Sequence, residues 1–189
     1  MVVAEDAKFY THNGFDYESL QNALKKDIKA RKFKIGASTI TQQLAKNLYL
    51  SPSKNPVRKI KEAILTWRLE RTLSKRRMLE LYLNVVEWGD GIFGVETAAE
   101  HYFNKPASAL TAGEAARLAA VLPNPIRFNA ASQSRYVIRR SNLILAHMNR
   151  AGAIPERDTD ENDATQTASS LQDILTNDND TADSLDSAR

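Results

Sequence analysis

Cysteine is absent from the chain, so disulfides and thiolate metal sites are excluded. No apolar run approaches the ~18 residues of a membrane-spanning helix, and no segment reads as a signal peptide. Repeated apolar–polar alternation, the mark of strands, is also missing, so the fold is expected to be essentially all-α. Acidic residues are scarce in one region only. Residues 1–150 hold 13 Asp and Glu against 24 Lys and Arg, a net of +11, although the whole chain carries +3. Residues 151–189 reverse this, with ten acidic residues against Arg157 and Arg189. The 189 residues, 42 % of them apolar, suffice for one domain with a core. That domain is expected over residues 1–152. Asp, Asn, Thr and Ser dominate residues 153–189, which predicts a disordered acidic tail. The basic part calls for a polyanionic partner: nucleic acid, an anionic membrane surface or a phosphorylated substrate.

The most informative stretch runs from Gly36 to Leu50. Ile40, Leu44 and Leu48 recur every fourth residue, as one face of a helix does. Ser38 or Thr39 can cap its start by accepting a backbone N–H. Thr39, Gln43, Lys46 and Asn47 have spacings that let them share a polar stripe. A helix N-terminus with hydroxyls, amides and one ammonium suits a phosphorylated or sugar-bearing ligand. A capped surface helix would account for the same residues.

Upstream, Glu5 and Asp6 are adjacent carboxylates, followed by Phe9, His12 and a turn at Asn13-Gly14. For His12 taken alone, a hydrogen-bonded structural role is expected over metal ligation. Residues 17–35 read as an amphipathic helix with Leu20, Leu24 and Ile28 inward, followed by a basic run from Lys29 to Lys34. Downstream, Asn55 is a fitting cap and Pro56 a fitting first residue for a helix. Its apolar positions Val57, Ile60, Ile64, Trp67 and Leu69 are expected inside. Arg58, Lys59 and Lys61 crowd its first turns, where cations oppose the helix dipole at a cost of about 0.3–1 kcal/mol each. Such a cluster suggests a bound anion. An Arg58–Glu62 pair, contributing about 0.2–0.5 kcal/mol, is the alternative account. Ser74 caps a further helix to Val86, Thr111 and Glu114 form a capping box, and a last helix over about 133–150 buries Val137, Leu143, Ile144 and Met148. Between them, the glycines at 89, 91 and 94 predict a tight turn that opens another helix.

Taken in order, these segments resemble the monofunctional biosynthetic peptidoglycan transglycosylases. Glu5-Asp6, Phe9, His12, Gly14 and Asp16 resemble the first motif of that family. Ser38-Thr39, Gln42-Gln43, Lys46-Asn47 and Tyr49-Leu50 resemble the second, and Arg58-Lys59 with Glu62 the third. Ser74-Lys75 with Glu80, Tyr82, Leu83 and Asn84 resemble the fourth. The match covers about residues 2–152.

The resemblance implies a lysozyme-like helical head lobe, a small apolar jaw lobe resting on the membrane, and a long cleft between them. It implies polymerisation of lipid II into β-1,4-linked glycan, with inversion and release of undecaprenyl pyrophosphate. Glu5 would be the general base and Glu62 the second essential carboxylate, holding Arg58 or a divalent cation, Mg²⁺ or Mn²⁺. Lys46, Arg58 and Lys59 would neutralise the pyrophosphate. Ser38, Thr39, Gln43 and Asn47 would contact sugars or phosphates, Phe9 and His12 would shape the acceptor side, and Asp6 would be a further substrate-binding residue. The expected partners are lipid II, the lipid-linked glycan chain, an anionic membrane surface and cell-wall synthesis or division proteins, with no nucleic acid. The expected location is the outer, periplasmic face of the bacterial inner membrane. Because Glu5 lies so near the start, the membrane helix and leading segment usual in the family are expected to be missing ahead of it. Competing expectations are an inactive truncated member, a lytic enzyme of similar shape, and a basic helical module binding a polyanion.

Overall fold

The computed structural model describes residues 1–30, 38–51 and 55–153. Expectations for Gly36, the basic run at 29–34, the turn at 52–54 and the tail beyond 153 lie outside this description, as do those for the side chains of Leu24 and Ile28. The chain divides into two units, residues 1–147 and 148–189. The described part of the second is a helix end stopped at Gly152, where φ is +61° and the Gly152 N–H donates to the Asn149 carbonyl at 3.1 Å.

Among the described residues the fold is mostly helical. The helices are α1 (Val2–Glu5), α2 (Tyr17–Ala30), α3 (Ile40–Tyr49), α4 (Pro56–Thr72), α5 (Lys75–Val85), α6 (Val95–Phe103), α7 (Ala112–Val121) and α8 (Arg135–Arg150). Their starts follow local chemistry. The Thr39 hydroxyl accepts the Gln42 N–H, and the Gln42 side chain accepts the Thr39 N–H at 2.9 Å, a reciprocal cap that opens α3. Asn55 caps α4 with Pro56 at its first position, Ser74 caps α5, and Thr111 with Glu114 caps α7. Asp16 accepts the N–H and hydroxyl of Ser19 at the start of α2. Its side-chain bond to Ser19, then the backbone bond, hold this carboxyl below the usual range. This hold is present at neutral pH and is lost as pH falls through the lowered value. The protection of the Ser19 amide, relative to its intrinsic exchange rate at each pH, should therefore fall on acidification, which hydrogen-exchange NMR would read.

The expectation of no strands is corrected at one point. Glu87–Gly89 (β1) and Ile92–Phe93 (β2) pair antiparallel, with Glu87 opposite Phe93 and Gly89 opposite Ile92. The pair is too short to show alternation. The Asp90-Gly91 turn makes it, and the Glu87 carboxylate accepts the Gly91 N–H at 3.1 Å. Gly89 is needed there, because a Cβ would meet the Tyr102 hydroxyl at 2.2 Å. α1 is a single helical turn that runs directly into the Glu5-Asp6 pair.

The core of the first unit gathers Phe9, Ile40, Leu44, Met78, Tyr82, Trp88, Leu118, Val121 and Val137. α3 lies at its centre, packed on α4 and α5. The expected orientation of α4 is reversed. Val57, Ile60, Ile64 and Trp67 are 51 %, 63 %, 52 % and 54 % exposed, while Glu62, Thr66 and Leu69 are buried. Only Leu69 of the predicted inward set is inside. The reason is polar. Glu70 bonds Thr41 of α3 and Lys75 at the start of α5, and Glu62 is buried on the same side, so with ~100° per residue the apolar stripe faces out. Leu20 and Leu143, also expected inside, are exposed.

Candidate active site

Glu5 is the last residue of α1, and its side chain is only 14 % exposed. Both of its oxygens are engaged. Oε2 accepts the Gln43 amide at 3.2 Å, and Oε1 accepts Nη2 of Arg140, from α8, at 3.4 Å. Gln43 is itself oriented, because its Oε1 accepts the Tyr82 hydroxyl at 2.9 Å, which leaves its NH₂ facing Glu5. Tyr82 is fully buried. Burial, then the Glu5 charge, push its phenol well above the ordinary range, so it stays a donor.

Asp6 points the other way. Its carboxylate accepts the Ile40 N–H at 3.0 Å, at the first turn of α3, where an anion is favoured. It also accepts His12 Nε2 at 2.9 Å, and His12 Nδ1 accepts the Gly14 N–H at 3.1 Å. The Gly14 carbonyl in turn accepts the Thr39 hydroxyl at 2.7 Å. These bonds close a ring that ties the segment after Glu5 to the start of α3. Gly14 is required in it: φ is +84°, and a Cβ would lie 2.7 Å from the Thr66 methyl. Phe9 is a core residue with no exposure, and the Lys75 ammonium lies 4.7 Å above its ring. Asp6, Phe9, His12 and Thr39, expected to meet substrate, are thus buried or nearly so and engaged within the protein. They shape the site from behind. Because Nδ1 accepts, the ring proton of His12 is assigned to Nε2 from its partners. Nitrogen-15 NMR should therefore find Nδ1 unprotonated and Nε2 protonated in the folded chain; the opposite tautomer would break the ring as drawn.

A second carboxylate joins the same polar string. Glu62 forms an ion pair with Lys59. Lys59 reaches the Ser38 hydroxyl at 3.5 Å, and the Ser38 carbonyl accepts the Gln43 amide at 3.4 Å. Glu5, Gln43, Ser38, Lys59 and Glu62 therefore follow one another in contact. The expected Arg58–Glu62 pairing is replaced by Lys59–Glu62. Arg58 instead lines an open pocket of about 210 Å³ with Lys61, Asn55 and Tyr49, and its buried Nε has no partner among the described residues. Lys46 and Asn47 are exposed on α3. No group of three or more His, Cys, Asp or Glu gathers to hold a metal among the described residues. Glu62, engaged by Lys59, offers one carboxylate, so Mg²⁺ or Mn²⁺ there would take its remaining ligands from substrate phosphate and water.

Arg140 and the Tyr82–Gln43 bond went unread in the sequence. A signal existed for the first. Arg140 lies three residues after Val137 and four before Ile144, both buried, so it sits on the inward face of α8.

The sequence profile of the Transglycosylase family matches residues 1–149. Three relatives carry the name biosynthetic peptidoglycan transglycosylase. That of Methylobacillus flagellatus is 51 % identical over 148 residues, covering 78 % of this chain and 65 % of the relative. That of Laribacter hongkongensis is 50 % identical over 149 residues, with 79 % and 65 % covered. That of Shigella boydii is 52 % identical over 155 residues, with 82 % and 64 % covered. The chain thus spans about 65 % of the length of the curated relatives it matches. With both carboxylates in one string of contacts and four-fifths of its sequence matched, this chain belongs to the Transglycosylase family.

Proposed function

We propose that the chain is a peptidoglycan glycosyltransferase that polymerises lipid II, at the outer face of the bacterial inner membrane. The observation that carries this reading is the held, partly buried Glu5 in one polar string with Lys59 and Glu62. Glu5 takes the proton of the acceptor sugar's 4-hydroxyl as that oxygen attacks the anomeric carbon of the donor. The bond from that carbon to the pyrophosphate oxygen breaks, and the lipid pyrophosphate leaves with the electron pair on that oxygen. A single displacement inverts the α-linkage to β-1,4. The leaving group needs positive charge rather than a proton, which Lys59, Arg58 and exposed Lys46 supply. Glu62 together with pyrophosphate oxygens would hold a Mg²⁺ or Mn²⁺, which would supply further positive charge to the leaving group; no step is routed through it. Two further features support the membrane setting: the outward apolar stripe of α4 and the +11 charge of residues 1–150. They are what a jaw lobe resting on lipid beside a lysozyme-like head would present. A nucleic-acid module would not place Glu5 and Glu62 among its cations, since both repel phosphate.

The test is incubation with fluorescent lipid II in detergent, with and without Mg²⁺, followed by gel separation and muramidase digestion. Muramidase-sensitive polymer is the expected product. The comparison is a version extended to the full length of the curated relatives. Polymer from neither chain overturns the reading.

A further inference from the structure

We propose that Arg140, on α8, is a positioning residue that aims the Glu5 carboxylate; this rests on the reading of Glu5 as the base. Glu5 ends a helix of one turn, and four residues cannot hold a helical geometry unaided. The direction of its carboxylate must therefore be fixed from outside. Gln43 fixes one oxygen from α3, and its amide cannot turn over without giving up the Tyr82 hydroxyl. Arg140 meets the other oxygen from an element 135 residues away in sequence. A carboxylate held on one oxygen can still swing about that contact, whereas one held on both cannot. The Arg140 Nε is buried and has no partner among the described residues, so packing rather than a full set of bonds places this guanidinium. Its planar fork then presents Nη2 to Glu5 in a fixed direction. The contact also keeps a cation beside the base, a counter-charge that Asp6, engaged by His12 and the Ile40 N–H, does not offset.

The test uses the full chain, four single variants (Arg140→Ala, Arg140→Lys, Arg139→Ala and Glu5→Gln) and the double Glu5→Gln/Arg140→Ala. Arg139 is the exposed neighbour on the same helix. Arg140→Ala should lower kcat about 10–100-fold, the cost of a small misplacement at the reacting group, with KM within about twofold. Arg140→Lys should regain part of that loss, and Arg139→Ala should change neither constant. In a Glu5→Gln background, Arg140→Ala should cost nothing further, because its effect passes through Glu5. A loss confined to KM, no loss, no recovery with Lys, or full additivity with Glu5→Gln would each overturn the proposal. A second readout is independent of polymerisation. The side-chain carboxyl ¹³C resonance of Glu5, assigned by its disappearance in Glu5→Gln, should move in Arg140→Ala and stay in Arg139→Ala. If neither this chain nor the extended version makes polymer and the resonance moves, the functional reading fails and the positioning contact stands. An unmoved resonance overturns the contact itself.

Discussion

Glu5→Gln should lower the initial rate of lipid II polymerisation by at least about 100-fold while the chain stays folded. General-base catalysis contributes on the order of 10²–10⁴ in rate, and an amide oxygen cannot take up the proton at neutral pH. The substitution keeps the shape of the side chain. The new carbonyl can still accept the Gln43 amide that now reaches Oε2 at 3.2 Å. Arg140 loses its counter-charge, but its own side chain is about a third exposed, so solvent can take up much of that loss. The thermal midpoint should therefore move by a few degrees at most, as differential scanning calorimetry would show. Loss of rate without loss of fold assigns the proton transfer to Glu5. A rate within tenfold of the parent would place the base elsewhere and leave Glu5 a structural acid.

The largest effect on stability is expected at Glu70, outside the reacting groups. Its carboxylate accepts the Thr41 hydroxyl at 2.6 Å from α3 and the Lys75 ammonium at 2.7 Å from the start of α5. The pair is largely out of water, with the Glu70 side chain 8 % and the Lys75 side chain 19 % exposed. Lys75 also lies over the fully buried ring of Phe9. Glu70→Ala leaves that ammonium without its anion and the Thr41 hydroxyl without its acceptor. Breaking such a pair from one side costs about 3–5 kcal/mol. For a folded part of this size that corresponds to a fall in thermal midpoint of roughly 10 °C. Replacing both members at once, as Glu70→Leu with Lys75→Met, removes the stranded charge and should recover much of the loss. Urea denaturation of the parent, the two singles and the double would measure this. A double variant as unstable as the sum of the singles would show that burial of the pair is not what makes Glu70→Ala costly.

These results bear on what the sequence could reveal. Helix starts were legible because their signals are local: Thr39 with Gln42, Asn55 with Pro56, Ser74, and Thr111 with Glu114 each need only three or four consecutive positions. The motif residues Glu5, Gln43, Ser38, Lys59 and Glu62 were also legible as candidates, and the structure brings them into contact. What periodicity could not give was the side of α4 that faces in. An apolar stripe marks a core face only when the opposite face has no reason to be buried. Here Glu70 has one, because its carboxylate bonds Thr41 of α3 and Lys75 of α5, and buried Glu62 and Thr66 lie along the same side. His12 and Asp6 could be read as chemistry-bearing residues, but their mutual bond depends on the turn at Gly14 and on where α3 begins. Arg140 needed α8 to be placed before it could be seen beside Glu5.

The outward face of α4 has one more consequence, for fluorescence. The chain has two tryptophans, and the fold separates them cleanly: Trp88 is 1 % exposed in the core, and Trp67 is 54 % exposed on α4 with the Arg71 guanidinium 4.9 Å from its ring. An aqueous quencher reaches the second and not the first. Emission that remains after quenching therefore reports the integrity of the core. The quenchable part reports whether detergent, lipid or another chain has covered α4, so one optical titration separates occupation of that surface from loss of the fold without any added label.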